Sequence, residues 1–522
     1  MFWGLRNLNQ NTKEGFRVKQ NIRRQIGRAK RKIECRLASA VEFNAGGPVT
    51  CGKPRYELSE KTLANPWGGI GLIHRMVLKL GLPTRINDAL CLLKMHMPYH
   101  ESDHVLNVAY NLLCGGRTLD DIEHRRQCQA YLDTLGARSI PDPTTAGDFC
   151  RRFDENAIWL LMEAINEVRV EVWKKRGQSL LGQTARIDAD GTLVPTTGEC
   201  KQGMDIAYDG TWGYHPLLVS LANTQEPLFI TNRSGNRPSH EGAAAVFDLA
   251  IALCTEAGFK DVLLRGDTDF SLTTSFDRWT DRDVRFVFCY DAKPNLVVKS
   301  EETDDSAYRD LVRRTEEAIR TKPRTRPVNE KDRIVREREF NLLVTEAEVL
   351  AEFMYRPGKC KRDYRFVVLR KTISNQRGQH VLFDEYRYFF YVTNDLELTL
   401  DEVVHEARQR CNQENLHDQL KNQVRAFHAP VNTLNANWAY MVMASLAWTL
   451  KAWAALLLPS APRWREAHEH EREQLLRMEF RGFVAYFIAI PCQVVRGARR
   501  IVLRVLAWNR WLTTFFRLLD AM

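Results

Sequence analysis

The chain has 522 residues, which exceeds one ordinary hydrophobic core and indicates roughly two to four domains. Lys and Arg number 75 against 65 Asp and Glu, and the resulting net charge of +10 suits a polyanionic partner such as nucleic acid. The 12 cysteines are scattered without a CxxC pair, which argues against a structural zinc module or a secreted disulfide scaffold and indicates reduced thiols.

Residues 1–64 are predicted to form a basic N-terminal arm. They begin without the apolar stretch that precedes a cleavage site, so we expect no signal peptide. A basic run of this kind is either a solvated segment or an arm that contacts DNA phosphates. The candidate DNA-binding residues within it are Arg23, Arg24, Lys30 and Arg31.

Residues 65–179 are predicted to form a helical region that recognises DNA. Apolar residues recur there at helical spacing, with Ser, Thr or Asp at the predicted N-caps and Gly at several predicted ends. The stretch TTAGDFCRRF resembles the entry to a recognition helix, which would present Arg151 and Arg152 to DNA. An amphipathic helix with exposed arginines fits the same residues.

Residues 180–295 change to short β-branched and aromatic runs. Their predicted order of three strands, a helix, a strand, a helix and a strand is that of a ribonuclease-H-like core. We expect residues 296–398 to be a β-rich insertion and residues 399–458 to complete the core. The helix of this second part is predicted to begin at Thr399 with a capping box. The fold class is therefore α+β and multidomain, ending in a basic, aromatic helical tail over residues 459–522.

One apolar segment, Trp438 to Pro459, has about the 20 residues that a membrane span needs. Lys451 interrupts it, and a charge near the middle of a span is costly. We therefore expect a buried core helix and no membrane association.

Three separated acids occupy positions that suit a two-metal site. Asp190 and Asp267 each follow a predicted strand, whereas Glu414 lies in a predicted helix. Such carboxylates can hold two Mg²⁺ ions about 3.5–4 Å apart, and Mn²⁺ can substitute. Asp188 faces the same side as Asp190, so spacing alone does not decide between them. Asp269, which could cap the next helix, raises the same question for Asp267; we prefer Asp190 and Asp267.

Two basic residues flank the helical acid. Arg410 precedes Glu414 by four residues and Lys421 follows it by seven, which places all three on roughly the same helix face. They are candidates for holding the phosphates beside the scissile one, although an ordinary helical ion pair has the same spacing.

Seven stretches in order resemble the DDE transposases of bacterial insertion sequences, specifically the group-1 DDE domain of the IS-thirteen-eighty type, related to the IS-four superfamily. They are YHESDHVLNVAYNLLCGG, IPDPTTAGDFCRRF, DADGTLVP, GYHPLLVSLA, RSGN, LLRGDTDF and QENLHDQLKN. The resemblance implies the triad Asp190, Asp267 and Glu414. It also implies a Tyr-Arg-Glu-Lys signature that fits Arg410 and Lys421 but places Ala407 at the tyrosine position.

By this resemblance, the protein binds terminal inverted repeats in double-stranded DNA and cleaves there. The released 3′-hydroxyl then joins target DNA. The expected assembly is a homodimer on DNA in the bacterial cytoplasm, associated with the nucleoid when bound. One alternative is an inactive or repurposed transposase that acts as a sequence-specific DNA-binding protein. Another is a nuclease without the joining step.

Overall fold

The computed structural model describes residues 24–25, 27–35, 62–96, 98–312, 341–377, 380–497 and 500–522. Part of the predicted basic arm is helical, over residues 24–25 and 27–35, and includes Arg24, Lys30 and Arg31. Arg23 lies outside the described residues.

The remaining helices follow in chain order. They are α1 (Ile70–Lys79), α2 (Leu82–Ala89), α3 (Glu101–Leu113), α4 (Ile122–Arg126), α5 (Gln129–Leu135), α6 (Pro143–Cys150), α7 (Glu155–Arg176), α8 (Gln178–Leu181), α9 (Ala243–Ala257), α10 (Thr273–Asp281), α11 (Pro294–Glu301), α12 (Leu400–Gln409), α13 (Cys411–Asp418), α14 (Leu434–Leu456), α15 (Arg465–Arg477), α16 (Phe480–Phe483) and α17 (Leu512–Ala521).

The strands are short except in the insertion. They are β1 (Leu63–Asn65), β2 (Ala185–Gly191), β3 (Val194–Pro195), β4 (Asp205–Ile206), β5 (Trp212–Tyr214), β6 (Leu217–Leu221), β7 (Glu226–Thr231), β8 (Val262–Gly266), β9 (Arg285–Tyr290), β10 (Arg309–Asp310), β11 (Asn341–Tyr355), β12 (Tyr364–Arg377), β13 (His380–Thr393), β14 (Cys492–Arg496) and β15 (Ile501–Val505).

Side-chain caps begin several of these helices. Asp142 accepts a hydrogen bond from the Thr145 backbone before α6, and Asp154 caps α7 in the same way. The predicted capping box between Thr399 and Glu402 is present at the start of α12, so that prediction is confirmed.

A nine-stranded sheet in the order β10-β11-β12-β13-β9-β8-β2-β6-β7 forms the centre of the protein. Strand β2 pairs in parallel with β8 and antiparallel with β6, and β8 continues in parallel to β9. Parallel neighbours end at the same edge of a sheet. This topology therefore brings the residues at the carboxyl ends of β2 and β8 together.

The described part of residues 296–398 is rich in strands and extends this central sheet. Strand β13 pairs antiparallel with β9, and β11, β12 and β13 form a meander beyond it. These strands therefore belong to the same sheet that carries the predicted acids Asp190 and Asp267 at its strand ends.

Helix α14 is the predicted core helix. By length and composition it is long and apolar enough to cross a membrane, and it is entirely buried inside the protein. Lys451 is buried as well, where its Nζ donates to the Leu476 carbonyl at 2.6 Å and lies 4.0 Å from the Trp448 ring centre. These contacts satisfy the charge that interrupts the apolar run.

The prediction of a wholly helical tail is wrong. Strands β14 and β15 form an antiparallel hairpin, and β14 also pairs with β1 to make a three-stranded sheet. The cause is local, because β-branched residues on both sides of Gly497 favour strands joined by a turn over a helix. Helices α15 and α17 flank this hairpin in the chain.

Candidate active site

Asp190 and Asp267 lie at the carboxyl ends of neighbouring parallel strands. Asp190 is the penultimate residue of β2, and Asp267 directly follows β8. Asp267 also caps the short 3₁₀ helix Thr268–Phe270, where its side chain accepts a hydrogen bond from the Asp269 backbone at 3.0 Å. Asp269 lies inside this turn and does not cap the next helix, because α10 begins after Leu272 without a side-chain cap.

The two carboxylates and Glu414 interact electrostatically. Burial raises the pKa of Asp190 to about 7, Arg410 opposes this rise, and the negative charges of Asp267 and Glu414 add to it. Burial likewise raises the pKa of Asp267. The structure therefore places all three predicted acids around one region, with Glu414 on α13 and exposed to solvent.

The three acids are not arranged at metal-ligand distances. Across the described part of the chain, no group of three His, Cys, Asp or Glu side chains could hold a metal ion. The donor set nevertheless fits a hard divalent cation in kind, since all three donors are carboxylates. Burial, with the charges of Asp267 and Glu414, raises the pKa of Asp190, and a bound cation would favour its ionised form.

Arg410 supplies positive charge to this region. It lies between α12 and α13, and its Nη1 is 3.4 Å from Asp190 Oδ2. Its charge opposes the rise in pKa of both Asp190 and Asp267. The guanidinium is therefore a cation shared by the two strand-end acids.

Lys421 lies on the other side of Glu414, in the π-helical turn Gln419–Gln423 that continues α13. Burial lowers the pKa of Lys421, and the charge of Asp190 works against that decrease. Turns of this type often occur at functional sites because they redirect side chains within a helix. The turn thus brings a second cation into the electrostatic range of Asp190.

Asp188 belongs to a separate buried ion network. It accepts hydrogen bonds from Arg265 Nε and Nη2 at 2.7 and 2.9 Å, and Arg265 is its partner in the β2–β8 register. Arg265 also reaches Glu406 at 3.0 Å, and Glu406 in turn binds Arg186. Both oxygens of Asp188 are thus engaged by protein, whereas Asp190 faces Arg410.

Sequence reasoning missed His417, which contacts the same carboxylate. Its Nε2 is 3.8 Å from Asp190 Oδ2, and its ring stacks on Phe427 with centres 5.9 Å apart. Burial lowers the pKa of His417 to about 3, and the charges of Lys421 and Arg410 contribute. The available signal was the spacing of three residues from Glu414, which places His417 on the same helix face.

Gln413 was also missed, although it anchors the acid-bearing helix. Its Nε2 donates to the carbonyls of Asp188 and Leu218, at 3.2 Å each, and so ties α13 to β2 and β6. This contact holds α13, and with it Glu414, next to β2 and β6. The sequence contains no signal for it, because the contact depends on tertiary packing.

Ala407 occupies the position of the expected tyrosine. It is 5% exposed and packs in an apolar cluster between α12 and the sheet, with Leu263, Val404 and Leu369 among its members. This position contributes packing and has no hydroxyl group to offer a phosphate.

Arg151 and Arg152 follow the end of α6, so they do not lie at a helix entry. Arg151 binds Asp148 at 2.7 Å and Asn432 at 2.9 Å, and Arg152 donates to the Leu92 carbonyl at 3.2 Å. Both side chains are exposed. Contact with DNA through Arg151 would compete with its two protein partners.

One comparison with known proteins identifies a family. Residues 66–520 match the family model described as transposase DDE domain group 1. No curated protein matches the chain. A solved structure titled "Cryo-EM structure of piggyBac transposase synaptic complex with hairpin DNA (SNHP)" is 9% identical, with a TM-score of 0.35, and the match covers 82% of this chain and 83% of that one. The family match spans most of the sequence, and the chain belongs to the group 1 family of transposase DDE domains.

Proposed function

We propose that this protein is a metal-dependent DNA transposase whose active site contains Asp190, Asp267 and Glu414. The observation that carries the proposal is the convergence of β2 and β8, where the partly buried Asp190 experiences the negative charges of both other acids. Carboxylates gathered in this way need a compensating cation. Membership in a transposase family supports the same activity.

The strand order supports a ribonuclease-H-like core. From one edge, β7, β6, β2, β8 and β9 are the third, second, first, fourth and fifth of the core strands in chain order. In this arrangement the first and fourth strands are neighbours and carry Asp190 and Asp267 at their ends. Their adjacency accounts for two acids that are distant in sequence acting at one site.

The donor set suits two Mg²⁺ ions, or Mn²⁺ in their place. Asp190, Asp267 and Glu414 would hold these ions, since the charge of Asp190 interacts with both other acids. Bound divalent ions activate the attacking oxygen and stabilise the leaving oxygen in phosphodiester cleavage.

Arg410 and Lys421, the two basic residues of the site, would then bind DNA. Arg410 lies 3.4 Å from Asp190 and its charge also acts on Asp267, so its guanidinium would hold a phosphate beside these carboxylates. Lys421 would contribute a point charge on the other side of Glu414. Binding of DNA phosphate and of metal ions would thus favour each other. The phosphate compensates the positive charges of Arg410 and Lys421, and the metal ions compensate the negative charges of the carboxylates.

We further propose the reaction sequence of an insertion-sequence transposase. The protein binds the terminal inverted repeats of a bacterial element as a homodimer, cleaves by water attack, and joins the 3′-hydroxyl ends to target DNA. It would act in the cytoplasm, at the nucleoid. The excess of basic residues supports the DNA partner.

A second candidate function is DNA binding without catalysis. The buried Ala407 favours it, because a phosphate contact expected from the family resemblance is missing. Such a protein would occupy its inverted repeats and leave them intact.

One experiment separates these functions. The full-length protein is incubated with linear DNA that carries the sequences flanking its reading frame, with a target plasmid and with Mg²⁺. Cleavage followed by joining supports the transposase. Binding without cleavage supports the second candidate, and cleavage without joining indicates a nuclease. Omitting Mg²⁺ is the control, because it removes only the metal-dependent steps.

A further inference from the structure

A cleft with a volume of about 980 Å³ opens beside the acid site. We name it the aromatic cleft, and define it as the space between residues 195–212 and residues 425–430. The first wall continues directly from β2, which carries Asp190, and the second follows the turn that carries Lys421. His428, in the second wall, contacts the Lys421 carbonyl at 3.2 Å.

Three cationic side chains, Arg117, Lys201 and Arg425, line the cleft, together with His428 and one acid, Glu199. The Lys201 ammonium donates to the Ala429 carbonyl, and Arg425 Nε donates to the Arg117 carbonyl at 3.0 Å. These bonds hold the Lys201 and Arg425 side chains in place before any ligand binds.

Arg425 has an unusual backbone conformation. Its φ is 63°, in the left-handed region that residues other than Gly rarely adopt. This conformation persists although it costs free energy, which is common where a side chain is held for binding. Its position at the edge of the cleft matches that use.

One residue of the cleft, Trp212, belongs to a hairpin with several exposed aromatic and apolar side chains. Trp212 on β5 is 51% exposed and pairs across the strands with Ile206, which is also exposed. Tyr208, in the turn between the two strands, is 90% exposed. Exposed apolar side chains grouped on one hairpin mark an interaction surface.

We propose that the aromatic cleft binds an unpaired DNA strand of about two or three nucleotides. The volume of the cleft is in the range of pockets that bind small ligands, so it suits a short segment of this kind. Trp212 stacks on a base, and Arg117 and Arg425 contact the phosphates. Aromatic side chains combined with a basic groove are how proteins hold single strands without reading their sequence. The inference is based on the lining of the cleft. It rests on the proposed function only in that DNA processing by a transposase would supply the unpaired strand.

The test measures binding of a fluorescein-labelled hexamer of deoxythymidine to the full-length protein by fluorescence anisotropy. EDTA is present, so that no metal-dependent step contributes. The Trp212→Ala and Arg117→Glu variants should each weaken binding at least tenfold, and Trp212→Phe should restore most of it. Trp508→Ala and Arg282→Glu are matched controls, since Trp508 is 80% exposed and Arg282 is exposed, and both lie outside the cleft.

Unchanged binding by Trp212→Ala, or an equal loss in Trp508→Ala, would overturn the proposal. Hexamer binding without DNA cleavage would leave this inference standing and reject the transposase. DNA cleavage by the unsubstituted protein, together with unchanged hexamer binding by Trp212→Ala, would support the transposase and overturn this inference.

A different observation concerns the buried His417. It is 7% exposed, and neither ring nitrogen has a hydrogen-bond partner among the residues described. A buried polar group without a partner is costly and is rare in folded proteins. The ring points to Asp190, whose Oδ2 is 3.8 Å from Nε2. This distance is just beyond a hydrogen bond, so a small shift of either side chain completes it.

We infer that His417 is a positioning residue for Asp190. Its Nε2 would donate to Oδ2 and so fix the orientation of the carboxylate that would hold the divalent cation. Hydrogen bonds of this kind orient metal ligands, and removing them typically weakens metal binding by about 10–100-fold. The inference rests on the metal site of the proposed function.

Isothermal titration of metal-free protein with Mn²⁺ tests this role without requiring cleavage. The His417→Phe variant preserves the stacking on Phe427 and should bind Mn²⁺ at least tenfold more weakly. The His417→Gln variant retains a donor and should recover most of the affinity. Unchanged affinity in His417→Phe would overturn the positioning role alone. Absence of Mn²⁺ binding in the unsubstituted protein would overturn it together with the metal site.

Discussion

Arg410 Nη1 lies 3.4 Å from Asp190 Oδ2, and this contact connects the junction of α12 and α13 to the central strand β2. Both side chains are largely buried, so the interaction is only weakly screened by solvent. The charge of Asp190 at the end of β2 therefore interacts directly with Arg410 at the start of α13, the helix that carries Glu414.

The first prediction concerns this ion pair. In EDTA at pH 8, Arg410→Gln should lower the free energy of unfolding by roughly 1–3 kcal/mol, because it leaves Asp190 without its nearest cation. In an Asp190→Asn background the same substitution should cost much less. Chemical denaturation of the two single variants and the double variant measures the coupling. Equal costs in both backgrounds would show that the two side chains do not interact.

The second prediction is a pH dependence caused by Asp190. Its pKa is about 7 in the folded protein and 3.8 without the fold, so the folded state binds more protons between these values. Stability in EDTA should therefore decrease as pH rises through this window. Asp190→Asn removes the penalty and should stabilise the metal-free protein at pH 8, on the order of 2 kcal/mol, and less at pH 5.

Thermal unfolding at both pH values checks the second prediction. Asp88→Asn, at an exposed position on α2, is the matched control and should show no such difference. A larger stabilisation by Asp190→Asn at pH 5 than at pH 8 would contradict the sign of the effect.

The third prediction concerns the buried network around Arg265. Arg265→Leu leaves Asp188 and Glu406 without a shared partner and should lower the free energy of unfolding by about 3–5 kcal/mol. The exposed pair between Arg356 and Asp363 provides the comparison, and Arg356→Leu should cost below about 1 kcal/mol. Urea denaturation of both variants measures the difference; similar values would mean that the network is not structural.

The fourth prediction concerns Ala407. Restoring the expected tyrosine with Ala407→Tyr should overpack the cluster beneath α12 and destabilise the protein by about 1–3 kcal/mol. It should not improve DNA binding, because the new ring faces the core. Thermal unfolding and an electrophoretic mobility shift assay measure the two effects, with the exposed Glu163→Tyr as control. Tighter DNA binding by Ala407→Tyr would show that this position reaches the phosphates.

Local signals in the sequence were sufficient for several elements. The capping box at Thr399 and the glycine that ends α9 at Gly258 depend on neighbours within a few residues, and both are present. The buried helix α14 was predictable from its long apolar composition, which Lys451 alone interrupts with a charge. The positions of Asp190 and Asp267 at strand ends follow from the apolar runs before them.

Long-range contacts were not predictable. The choice between Asp188 and Asp190 depends on the register of β2 against β8, which places Arg265 beside Asp188. The position of His417 beside Asp190 depends on how α13 packs over the sheet. The tail hairpin was not predicted because two signals compete there. Basic residues recur at helical spacing, whereas the β-branched residues around Gly497 favour strands.

The most direct test of the central claim compares cleavage and binding in one variant. Asp190→Ala and the control Glu163→Ala are each assayed with end-bearing DNA and Mg²⁺, and end binding is measured in parallel without metal. The account predicts that Asp190→Ala binds the ends with unchanged affinity and loses cleavage by at least a thousandfold, whereas Glu163→Ala retains both. Cleavage by Asp190→Ala at a rate close to that of the unsubstituted protein would contradict the assignment of the active site.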